Sequence, residues 1–155
     1  MNDALERIKA AREAIWWDEP AEVKRLPSIK GARRQGASTV LFAATKLATL
    51  ITFLNHMRGI ARQSAVDLAT MKAVTEPYLE FHAGVYGNFY QFANTARVVR
   101  QAREALGEAE TMEEYAAVVE ELAIYLNRID YWVDLKIPWA KFGQIFEKEF
   151  SNSQT

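Results

Sequence analysis

The sequence contains no cysteine. That excludes a disulfide framework, a thiolate metal site and a cysteine nucleophile. Only four prolines and seven glycines punctuate its 155 residues. No stretch alternates polar and apolar residues over a strand length before a hairpin turn, so no sheet is expected. No internal repeat of roughly 20–50 residues and no low-complexity tract occurs. The N-terminal MNDALERIKAAREAI is charged and lacks the apolar core of a secretory signal.

Catalytic vocabulary is equally sparse. The only two histidines, His56 and His82, fall in separate helical stretches without a second ligand one turn away. They read as packing or interface histidines, and no metal site is expected. Glu80-Phe81-His82 lacks the Glu-x-x-His spacing that puts two ligands on one helix face. Glu113/Glu114 and Glu120/Glu121 are neighbours in sequence and read as an exposed acidic face rather than a general acid and its base. There is no strand for a glycine-rich phosphate loop to follow, and no nucleophile elbow. The expectation is therefore of a non-enzyme with no catalytic residue, no cofactor and no small-molecule substrate.

A local absence is more informative. From Val23 to Val66 there is no Asp or Glu, while Lys24, Arg25, Lys30, Arg33, Arg34, Lys46, Arg58 and Arg62 all lie there. The near-neutral net charge of −1 thus hides a strongly basic segment between two acidic ones. Within it, 37–54 is apolar with Lys46 as its single charge. It reads as a buried bundle helix rather than a membrane span, because it is barely long enough and a central charge is costly.

What is present points to helices. Half the residues are apolar and a quarter charged, enough for one globular domain of this length. Residues 2–17 carry Leu5, Ile8, Ala11 and Ile15 at helical spacing, ending before Pro20. Residues 18–37 form an arm with two prolines, two glycines and five basic residues. Ser38 or Thr39 caps a helix to about Gln63 that is apolar nearly all round. Ser64 caps a further helix, and Thr75-Glu76-Pro77 reads as a restart. The next helix runs from about Val85 to Leu106, with Arg97, Arg100 and Arg103 as a solvated stripe and Gly107 as C-cap. Thr111 and Glu114 form a capping box that opens a helix to about Lys136. A short helix from Trp139 to Phe150 follows Pro138. The predicted class is all-α: a bundle of about four to five core helices with an N-terminal helix and an extended basic arm. Its parts are 1–37, the helix plus nucleic-acid-binding arm, and 38–155, the bundle.

A flexible cation held on a packed body is a common way to grip a polyanion. Lys24, Arg25, Lys30, Arg33 and Arg34, with Arg58 and Arg62 at the far helix end, are the candidate phosphate contacts. No aromatic residue interrupts 23–37, which favours the backbone of duplex DNA over base stacking, without sequence preference. The alternative for Arg58 and Arg62 is service to the helix dipole. Trp16, Trp17, Trp139 and Phe142 are candidate assembly contacts. The acidic helix 112–136 is expected to meet a basic face of a neighbouring subunit.

In size, all-helical pattern and helix-plus-basic-arm layout, the chain resembles the major capsid proteins of filamentous and rod-shaped archaeal viruses. The resemblance implies a bundle whose arm wraps DNA in a helical virion, with copies of itself or a paralogous coat subunit as partners. It implies assembly in the host cytoplasm and no membrane partner. A second likeness rests on Leu26-Pro27, Gly36, Phe42 and Lys46, and on Leu126-Asn127. These are similar to a pattern in the small helical subunit of type III CRISPR effector complexes, which implies a cytoplasmic ribonucleoprotein subunit binding the RNA or DNA backbone. A third reading is a helical protein-interaction module without nucleic acid.

Overall fold

The computed structural model describes residues 3–15, 20–24, 37–63, 66–88 and 92–136, leaving aside the side chains of 21, 22, 37–44 and 134–136. All regular structure among these residues is helical. The elements are α1 (Asp3–Glu13), α2 (Ala21–Lys24), α3 (Ala37–Gln63), α4 (Leu68–Gly87), α5 (Ala93–Glu108) and α6 (Met112–Lys136). Trp139–Phe150, expected as a last helix, lies outside the described residues.

Helices α3 to α6 form a four-sided bundle in which each packs on its neighbours in sequence and α6 closes back on α3. The α4–α5 and α3–α6 sides are closely packed, whereas α3 and α4 touch over less of their length. α1 lies outside this square, against α5 and α6, and α2 rests on α6. One continuous core joins them.

The stripes follow helical period. α3 buries Leu47, Leu50, Leu54, Met57 and Ala61, spaced by three or four residues, while Thr49, Thr52 and Asn55 face out. Over 45–63 the helix is therefore one-sided, not apolar nearly all round. α5 buries Val98, Val99, Ala102, Ala105 and Leu106, and its alanines let neighbouring helices approach closely. α6 buries Tyr115, Val118, Leu122, Tyr125, Leu126, Ile129 and Val133. Each fully buried aliphatic side chain contributes about 1.5–3 kcal/mol of transfer free energy.

Helix ends explain two departures from the expected boundaries. The cap of α4 is Asp67, whose carboxylate accepts from Thr70 N–H at 2.8 Å. Ser64 is outside the described residues. α4 then runs unbroken through Pro77. The missing N–H costs one intrahelical bond, but the ring is exposed and Thr75 and Leu79 on either side are buried. Core packing on those neighbours holds the helix across the proline. Gly84 and Gly87 sit inside the same helix, and the Arg100 guanidinium of α5 lies against Gly87. Thr111 does cap α6, accepting from Glu114 N–H at 3.1 Å. The Glu114 carboxylate reaches back to Glu110 N–H at 3.0 Å. Lys72 donates to the carbonyls of Gly107 and Ala109 at 3.2 and 3.0 Å, closing the C-terminal end of α5.

The acidic face of α6 meets basic residues of its own chain. Glu121 pairs with Arg12 of α1, and Glu120 with Arg58 of α3 at 3.8 Å. The expected pairing with a neighbouring subunit is corrected for these two residues: the bundle brings the arginines to them. Arg128 donates to Arg12 O and Trp132 Nε1 to Ile15 O, so α6 also satisfies carbonyls where α1 ends.

Candidate functional site: the groove between α3 and α4

The thinly packed α3–α4 side opens into a groove of about 540 Å³ lined by Thr45, Ala48, Thr49, Thr52, Phe53, His56 and Tyr78. Thr45, Thr49, Thr52 and His56 recur every three or four residues of α3. At about 100° per residue they share an arc of about 60°. The hydroxyls of Thr49 and Thr52 donate to the carbonyls of Thr45 and Ala48 at 2.9 and 3.0 Å. Their donors are thus used within the helix, and their methyl groups set the character of that wall.

The other wall is aromatic. Phe53 and Tyr78 stack across the seam with centroids 3.9 Å apart and planes inclined by 25°. His82 lies one turn beyond Tyr78, with ring centroids 4.4 Å apart. Tyr86 and then Phe92 follow at 6.2 and 6.1 Å, so a ladder of rings runs from the groove into the core. Val74, Tyr78 and Phe81 share one stripe of α4, and Val74 and Phe81 are 49% and 58% exposed. The Lys46 ammonium sits 5.7 Å from the centre of the Phe81 ring, a cation–π contact across the same seam.

The ladder contains its own electrostatics. His82 is buried, and its Nδ1–H donates to Tyr78 O at 3.0 Å. Burial is the main force holding its pKa below the usual imidazole value, with Lys46 adding to it. A neutral ring results, and its Nε2 is buried without a partner. Burial likewise pushes the Tyr86 phenol far up, and its hydroxyl has no partner. Tyr115 is raised by burial as well, opposed by its 2.7 Å hydrogen bond with Thr75. His56, by contrast, is exposed at one end of the groove.

Few of the residues singled out from sequence meet here. Lys24 is exposed at the end of α2, and Arg62 is exposed in the last turn of α3. Arg58 is half-buried and bonded to Glu120. Arg25, Lys30, Arg33, Arg34, Trp16, Trp17, Trp139 and Phe142 lie outside the described residues. Among the described residues no cluster of His, Cys, Asp or Glu is placed to hold a metal ion. No helix among them is long and apolar enough to cross a membrane. The groove residues were missed because their signal is a periodicity of threonine, which reads as neither core nor charge. The one visible hint was Thr45-x3-Thr49-x2-Thr52-x3-His56 on a single face.

A protein-family profile described as the cucumopine synthase C-terminal helical bundle domain matches residues 1–135. The solved structure of McbB in complex with tryptophan has the same fold, with a TM-score of 0.73 and 26% sequence identity. The match covers 93% of this chain and 48% of McbB, so the chain spans about half the length of that protein. No match is found among curated proteins.

These matches overturn the coat-protein and CRISPR-subunit readings and lend no support to the interaction-module reading. The capsid likeness rested on layout, a helix followed by a basic arm, and the CRISPR likeness on a few scattered residues. A basic loop ahead of an apolar helix is compatible with many bundles. Outside that loop, Arg12 and Arg58 pair with glutamates of α6 in the same chain.

Proposed function

The chain belongs to the cucumopine synthase C-terminal helical bundle family, and from that membership we propose that it is the helical part of a synthase whose α3–α4 groove receives an aromatic amino acid. The supporting observation is the Phe53–Tyr78 stack lining the groove, in a chain similar over 93% of its length to a protein solved with tryptophan. An indole or comparable ring gains from offset stacking on such a pair, beyond the area it buries. The threonine methyls flank the ring, and His56 offers a hydrogen-bonding edge at the end of the groove. Lys46 places positive charge at the seam, toward which the carboxylate of an amino acid is drawn.

On this reading the bundle supplies binding, and bond making belongs to the portion of the synthase that McbB carries outside the matched half. A small-molecule ligand thus replaces the sequence-based expectation of none. The test is calorimetric titration of tryptophan, with alanine as the amino acid lacking a ring, into the chain and its Thr49→Phe variant. Thr49 is exposed, so the new ring fills the groove without removing core. Expected are saturable tryptophan binding, no alanine binding, and at least roughly tenfold weaker tryptophan binding in the variant, about 1.4 kcal/mol. Absent tryptophan binding, equal binding of alanine, or indifference to Thr49→Phe contradicts the reading.

A further inference from the structure

Across the bundle from the groove, α1 lies over α5 and leaves a second cleft of about 530 Å³, lined by Arg7, Ala10, Ala11, Arg97 and Gln101. Its chemistry differs from that of the first. The two alanines provide room and no functional group. Both charged groups in the lining are cations. Arg7 and Arg97 have N–H groups and no acceptor. Gln101, only partly exposed, has its Oε1 buried and without a partner. Among the described residues no carboxylate lines the cleft.

Neither arginine is part of an ion pair among the described residues. The ion pairs of the neighbouring bases are Arg12 with Glu121 and Glu13, and Arg103 with Glu80 at 3.2 Å. Neither Arg7 nor Arg97 has an acidic partner among the described residues. Arg97 is oriented, however: its Nε donates to Asn94 Oδ1 at 3.1 Å and its Nη2 to the same oxygen. Asn94 in turn donates to the Tyr125 hydroxyl at 3.2 Å, tying this arrangement to the bundle core. Two like charges lining one cavity repel, and their cost is offset when an anion sits between them. A guanidinium fork presents parallel N–H groups matched to paired oxygens.

We propose that the α1–α5 cleft is a binding site for a small doubly charged oxyanion, held by Arg7 and Arg97. The proposal is independent of the groove: it rests on different helices and on opposite chemistry. Carboxylate and phosphate oxygens offer the same acceptors, so the ligand can be a dicarboxylate or a phosphate group.

The experiment is amide-resolved NMR titration of the folded chain with sodium phosphate and, separately, with sodium succinate at constant low ionic strength. Sodium chloride is the control for charge screening. The variants are Arg7→Gln, Arg97→Gln and the control Arg103→Gln, which removes an exposed arginine of the same helix that has its own acidic partner. Expected is saturable perturbation of amides around Arg7 and Arg97 by at least one of the two anions. Arg7→Gln and Arg97→Gln each weaken it by roughly tenfold or more, and Arg103→Gln leaves it unchanged. Preference for phosphate or for succinate identifies which group the cleft takes. Failure of both anions to saturate, or equal weakening by all three variants, overturns the proposal. Because each replaced side chain is exposed at α1 or α5, the variants keep the core, and an unchanged spectrum away from the cleft verifies it.

Discussion

The buried polar residues among those described are few, and two sites have consequences for stability. Thr75 and Tyr115 are both fully buried and bonded to each other at 2.7 Å. Removing one partner leaves the other without a bond in the core. Tyr115→Phe and Thr75→Val should each cost about 1–3 kcal/mol. The double variant should cost less than the sum, because no unpaired group remains. Urea unfolding of the four proteins checks this, and additive losses would show that the bond contributes nothing. His82 makes a prediction about pH. Its folded pKa lies below its unfolded value because of burial. As pH falls below the ordinary imidazole value, the unfolded chain takes up a proton that the folded chain refuses. Stability is therefore full above about pH 6.5 and declines below it, down to the folded pKa. Urea midpoints at neutral and mildly acid pH, compared with those of His82→Gln, measure it. The variant should lose less stability over that window than the wild type.

At the level of the helix, termini were more legible than continuity. The Thr111-x-x-Glu114 signal named the start of α6 because capping is local chemistry, readable from four residues. Pro77 misled for the converse reason. Its local signal is a break, and the burial of Thr75 and Leu79 that overrides it is not local. Restoring the N–H there should help: Pro77→Ala is expected to stabilise α4 by up to about 3 kcal/mol, read as a rise in thermal midpoint. A fall would mean that the proline is needed where it stands. Asp67→Ala should lower the thermal midpoint through loss of the Thr70 cap. The groove was illegible at this scale. Thr45, Thr49 and Thr52 stand in a helix that reads as apolar all round, and Phe53 meets Tyr78 only because α3 and α4 are neighbours. A stack between residues that far apart in sequence is a tertiary fact.

At the level of the whole molecule, the helical content and the all-α class could be read from periodicity, whereas the role could not. Charge segregation between 23–66 and the rest of the chain suggested an external polyanion. In the folded bundle part of that segregation is resolved internally, by Arg58 with Glu120 of α6. Arg12 of α1, outside that segment, pairs with Glu121, where hydrogen bonding to the carboxylate also holds the guanidinium firmly charged. Both partners are partly buried, so Glu121→Gln should cost about 1.5–3 kcal/mol. It should loosen α1 first, seen as faster amide exchange in Asp3–Glu13 than in α3. Family membership then redirects the question from a surface that coats to a groove that receives. The most direct measurement is the amide NMR spectrum of the chain as tryptophan is added. The groove reading predicts shifts concentrated at Thr45–His56 of α3 and around Tyr78 of α4, saturating with ligand, while α1 and α5 stay still. Shifts that avoid those two helices, or none at any concentration, would contradict it.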